Sequence, residues 1–127
     1  TLSTARHGYP LGLALKDELP GVEFEPTAFL RVPTSVLVGT HDTQRDEALR
    51  TGRRIDRLQG RDRVARGRKF IKRLRSAAAR YGLSTSFEFA TLPHCGHDFG
   101  QCVHRGGLAG HALSFLYPTQ QPPVETQ

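Results

Sequence analysis

The imidazole of histidine is the side chain best suited to moving protons near neutral pH, and residues 91–102 set one among other reactive groups. They read Thr-Leu-Pro-His-Cys-Gly-His-Asp-Phe-Gly-Gln-Cys, so His94, Cys95, His97, Asp98 and Cys102 share a single short loop. Upstream, residues 85–92 place Phe87 and Phe89 two apart, the period of a strand, and His97 therefore falls just past a strand end. In an open α/β sheet, ligands bind in the crevice beyond the carboxyl ends of the strands. A histidine delivered there is placed for general acid–base chemistry.

A carboxylate stands in the same kind of place. Pro33 opens the run Thr34-Ser35-Val36-Leu37-Val38-Gly39, a short apolar stretch with β-branched residues and a glycine stop. Such a run reads as a strand buried on both faces, as in a parallel sheet. It ends in Thr40-His41-Asp42-Thr43. Two roles are open to Asp42 on this pattern: a reactive group at the strand end, or, like Thr43, the N-cap of a helix beginning near Arg45.

Metal chemistry is the first rival for the loop, since His94, Cys95, His97, Cys102 and His104 are all potential ligands. Zinc sites usually pair their ligands two to five residues apart. Here six residues separate Cys95 from Cys102, and six separate His97 from His104, so no metal is expected. These two cysteines are also too few for a disulfide framework. One short bridge is open to them, free thiols are the expectation, and a bridge would stiffen the loop that carries His97.

The elements that must position these groups follow from periodicity and breakers. Residues 1–32 are interrupted by Pro10, Pro20 and Pro26 and by Gly8, Gly12 and Gly21, which makes them a connecting segment with one short helix near 13–19. Phe24, Phe29 and Leu30 are its anchors to the core. Residues 44–58 read as a short helix interrupted by Thr51-Gly52. From 61 to 81, Val64, Ile71, Leu74, Ala78 and Tyr81 recur at helical spacing, with Gly82 as the stop. Residues 103–117 read as a last helix with Leu108, Ala112, Phe115 and Leu116 toward the core, weakened by Gly106, Gly107 and Gly110. Residues 118–127 are a polar tail. The order strand, helix, strand, helix defines an α/β class with parallel pairing. Two strands cannot cover their own faces, so they belong to the edge of a larger sheet or of an oligomer.

The strand ending in Gly39-Thr40-His41-Asp42, the crossover, and the strand ending in Leu92-Pro93-His94-Cys95-Gly96-His97-Asp98-Phe99 together resemble the C-terminal part of the α/β-hydrolase superfamily over residues 33–117. The resemblance implies the C-terminal portion of a doubly wound, mostly parallel αβα sandwich. It implies His97 as general base and Asp42 as the acid that orients it, with Asp46 as the substitute acid if Asp42 is a cap. Asp98 is then a turn or cap residue. No Gly-x-Ser-x-Gly elbow occurs, and Ser35, Ser76, Ser84, Ser86 and Ser114 do not fit one, so the chain holds no nucleophile of its own. A fragment of an esterase-like serine hydrolase, inactive alone, is the expected function. The alternatives are a noncatalytic interaction domain that forms an oligomer, a basic nucleic-acid-binding module, and a His/Cys metal module.

Charge sorts the partners. The 127 residues carry a net charge of +6, yet residues 44–81 hold fourteen of the eighteen Lys and Arg. The aromatic residues there, Phe70 and Tyr81, belong to the helix stripe, so a solvated basic face is expected rather than a nucleic-acid surface. The expected partners are an ester-like small molecule and a second copy of the chain. No cofactor and no membrane partner is expected. No run is long enough to span a bilayer and no signal peptide is visible, and a cytoplasmic location is the expectation.

Overall fold

The computed structural model describes residues 25–119. Its centre is a pair of parallel strands, β1 (Thr34–Gly39) and β2 (Phe87–Leu92), paired in register from Thr34 opposite Phe87 to Gly39 opposite Leu92. Five helices accompany them: α1 (Pro26–Leu30), α2 (Arg53–Gln59), α3 (Arg63–Arg80), α4 (Phe99–His104) and α5 (Leu108–Leu116). The chain is thus α/β with the expected parallel pairing, but β1 is half-buried at Thr34–Val38 and buried only at Gly39, so it is not covered on both faces as its sequence pattern implies. The helix expected near 13–19, Phe24 and most of the polar tail lie outside the described residues.

The long helix forms where periodicity places it, and its ends are chemically specified. Asp62 caps α3 by accepting the Ala65 N–H at 2.8 Å. At the other end Gly82 takes the left-handed conformation, with φ at 66°. Gly82 N–H donates to Ala79 O and Leu83 N–H to Ala78 O, the paired bonds of a Schellman stop. Ile71, Leu74 and Ala78 face inward and are buried with Phe87 and Leu30, while Val36 and Phe89 pack alongside. Leu30 is delivered by α1, whose start is fixed by Glu25 accepting the Thr27 N–H and by Pro26 in the first turn. Phe29, by contrast, is exposed.

Gly67 sets how closely α3 lies on the sheet. A Cβ there would stand 2.8 Å from the Phe89 ring and 3.1 Å from the methyls of Val36 and Val38. Leu37, on the alternate side of β1, joins a second cluster with Leu92, Cys95, Cys102 and Leu108. Each strand has one neighbour among the described residues. The outer edge of β2 is guarded where it begins, since Arg75 donates to Phe87 O from both Nε and Nη2.

Two expectations about helices are corrected. Residues 44–52 are irregular, so neither Asp42 nor Thr43 caps a helix at Arg45; the first helix of the crossover is α2. Tertiary contacts hold this stretch. Leu49 is buried, Arg66 donates to Arg50 O at 2.6 Å, and Arg45 pairs with Asp56 at 2.8 Å and also bonds Arg61 O. Part of the basic segment is spent in this way, with Arg45, Arg63, Arg66, Lys69 and Arg75 bonded to carboxylates and carbonyls of the domain, while most of its cations remain exposed. The last helix is likewise two helices. Gly107, with φ at 70°, breaks it, and Gly106 packs where a Cβ would lie 3.0 Å from Leu92 Cβ and 3.1 Å from Cys95 Sγ. Ala112 and Phe115 are half-buried, but Leu116 is exposed.

Candidate functional site

Both strands end at the same level, and their following loops are bonded to each other. Thr40 donates to Leu92 O from its N–H and from its hydroxyl, each at 2.8 Å. His41 N–H donates to Cys95 O at 3.0 Å. This approach depends on Gly39, because a Cβ there would collide with the backbone carbonyls of Cys95 and Gly96. Asp42 N–H then turns back to Gly39 O at 3.0 Å, which carries the aspartate under the histidine loop.

The histidine loop is fixed at both ends. Pro93 and His94 make a turn in which His94 adopts φ of 57°, a conformation rare for residues other than glycine. Cys95 and Cys102 are joined in a disulfide with their Cα atoms 5.2 Å apart, which corrects the expectation of free thiols. Both sulfurs are packed against Leu92 and Leu108, so the bond closes the loop around Gly96 and His97 onto α4. Asp98 caps that helix, accepting the Gln101 N–H at 2.7 Å.

Asp42 and His97, fifty-five residues apart in sequence, meet in this frame. His97 Nδ1 lies 2.9 Å from Asp42 Oδ2. The Asp42 side chain is 5% exposed and that of His97 64%, so the carboxylate is inside and the ring outside. Nδ1 is turned to the carboxylate, and Nε2 has no hydrogen-bond partner among the described residues. The pairing suits a histidine whose Nδ1–H is held by an anion while Nε2 exchanges a proton. His97 and Asp42 line two cavities. One, of about 430 Å³, has Leu37, Leu92, Phe99 and Leu108 as its apolar wall; the other, polar and of about 260 Å³, includes His41, Gln44, Asp46 and Gln101. No serine lines either cavity among the described residues.

Sequence reasoning did not find Arg63. Its Nη1 reaches Asp42 Oδ1 at 3.3 Å, while its two terminal nitrogens grip Asp46 at 3.1 and 2.9 Å. Hydrogen bonding to this guanidinium holds the Asp46 carboxyl below its ordinary pKa and raises that of Arg63 in turn. Asp46 therefore does not stand in for Asp42: it bonds the arginine, not the imidazole. Among fourteen bases in one segment, nothing in the sequence marks this one, since its role depends on where α3 begins. The candidate metal ligands are not gathered. The two sulfurs are bonded to each other, and no group of three His, Cys, Asp or Glu able to hold an ion occurs among the described residues. No helix among those residues is long and apolar enough to cross a membrane.

No protein-family profile, curated protein or solved structure matches the chain.

Proposed function

We propose that Asp42 and His97 are the acid and the histidine of a serine-type α/β hydrolase acting on ester-like bonds, and that the nucleophile comes from outside this chain. On this reading β1 and β2 are the acid-bearing and histidine-bearing strands at the edge of a larger doubly wound, mostly parallel sandwich. One observation carries it: a buried carboxylate 2.9 Å from Nδ1 of an exposed histidine, both just beyond the carboxyl ends of adjacent parallel strands. His97 would take the proton from a serine hydroxyl through Nε2 and return it to the leaving group, while Asp42 keeps the tautomer and stabilises the imidazolium. The apolar cavity beside the ring suits the acyl or alkyl part of a substrate.

The test is labelling by a fluorophosphonate probe of the full natural polypeptide that contains these residues, alongside its H97A and D42N variants. Strong labelling is expected in the parent, with H97A abolishing it and D42N slowing it by roughly 10⁴-fold. A full polypeptide that does not label, or that labels equally well without His97, overturns the reading.

A second reading, a noncatalytic domain that self-associates, is favoured by Leu113, Leu116 and Tyr117, which α5 and its C-cap leave exposed. Native mass decides it: a stable oligomer together with absence of labelling supports this reading, and a monomer removes it.

A further inference from the structure

Arg63 is the first residue of α3, and its guanidinium joins the two carboxylates that follow β1. Asp42 has both oxygens engaged, Oδ1 by Arg63 at 3.3 Å and Oδ2 by His97 at 2.9 Å. An arginine bonded to Asp42 alone would cancel the charge that the imidazole faces. Asp46 restores it, because it takes the guanidinium in a two-pronged grip and brings a second negative charge.

We propose that Arg63 and Asp46 form a positioning pair for His97: Arg63 fixes the Asp42 carboxylate with Oδ2 toward the imidazole, and Asp46 offsets the guanidinium so that the cluster presents one net negative charge to the ring. The inference rests on His97 acting as the base. Other titratable groups line the cavities that His97 lines: His41 from the loop after β1, and Asp98 from its own loop, whose carboxylate is committed to the cap of α4. Both stay constant across the variants below, so differences between variants isolate Arg63 and Asp46.

The pair predicts shifts of opposite sign. Removing the cation in R63Q leaves His97 facing more negative charge and raises its titration midpoint. Removing the anion in D46N leaves the guanidinium uncompensated and lowers it. Each substitution removes a full charge from the cluster that the ring faces, so the expected change is several-fold in proton affinity, in opposite directions for the two variants. R63K keeps the charge and is expected to stay closer to the parent than R63Q does.

The experiment is an NMR titration of the His97 ring resonances in the 127-residue chain and these three variants, with H97A identifying the signals. Midpoints that move up in R63Q and down in D46N are the expected result, whereas a loosening of structure alone would move both the same way. Shifts of the same sign, or no shift in either variant, overturn the proposal. Should R63Q fail to fold, D46N still decides, since the Asp46 side chain is 43% exposed and its removal leaves no buried gap. The titration needs neither substrate nor nucleophile, so its outcome is read independently of fluorophosphonate labelling.

Discussion

Replacing Gly39 with alanine tests the frame of the site. The added Cβ would stand 2.8 Å from the carbonyl carbon of Cys95, and closer still to the oxygens of Cys95 and Gly96, whereas ordinary contact begins at 3.4 Å. All three are backbone atoms, so no side chain can swing aside. The loop after β2 must therefore retreat by at least about 0.9 Å, to bring Cys95 O from 2.5 Å out to ordinary contact. Overpacking of this kind costs roughly 1–3 kcal/mol. The retreat also strains His41 N–H to Cys95 O and Thr40 N–H to Leu92 O, each worth about 0.5–1.5 kcal/mol. A total loss of roughly 2–6 kcal/mol is a large share of the stability of a small domain. A displacement of that size along the 2.9 Å separation of His97 and Asp42 would carry it past the outer limit of a hydrogen bond. Urea unfolding of G39A against the parent measures the cost, and an NMR titration of His97 in the folded fraction reports the lost carboxylate. A variant within about 0.5 kcal/mol of the parent, with an unmoved titration, would refute the close approach of the two loops.

Two further outcomes follow from the site and its surroundings. The cysteines of the disulfide are seven apart, and the entropy of closing so short a loop is worth about 2 kcal/mol, so C95A/C102A is expected to melt roughly 10 °C lower; an unchanged melting temperature would show that the sulfurs are not joined in solution. Acid should weaken the domain in a defined direction: Asp46 and Asp56 are held below the ordinary carboxylate pKa, chiefly by hydrogen bonds from Arg63 and Arg45. The folded state then binds fewer protons than the unfolded one, so their contribution is complete above about pH 4 and is lost as pH falls through the lower folded values. D46N and D56N should each flatten that acid limb in unfolding measured from pH 6 downward.

Local pattern made the strands and the long helix legible, because their causes are local. The run from Thr34 to Gly39 has a bounded apolar pattern, and α3 has an inward stripe at Ile71, Leu74 and Ala78 followed by a glycine that can end a Schellman motif. The loop between β1 and α2 reads as helix from its sequence because what orders it is distant: Arg66 on its carbonyl, and Arg45 reaching to Asp56 and Arg61. The split of the final helix was half visible. Gly106 and Gly107 weaken any helix, but only the nearness of Leu92 and of the disulfide turns weakness into a break. Asp42 and His97 were readable as residues at strand ends. Their 2.9 Å approach depends on the register that sets Gly39 opposite Leu92, and Arg63 enters only because Asp62 starts α3 beside Asp46.

Among the described residues no strand lies on the outer edge of β1, which bears on how this chain behaves at high concentration. The six residues of β1 contain no proline and no charge, and among the described residues no side chain blocks its outer backbone groups as Arg75 blocks β2 at Phe87. An unguarded strand of that composition is a template for cross-β growth. On the hydrolase reading proposed above, a strand laid beside β1 would guard against fibre formation, and the chain handled without one is expected to form fibrils that seed one another through residues 34–39.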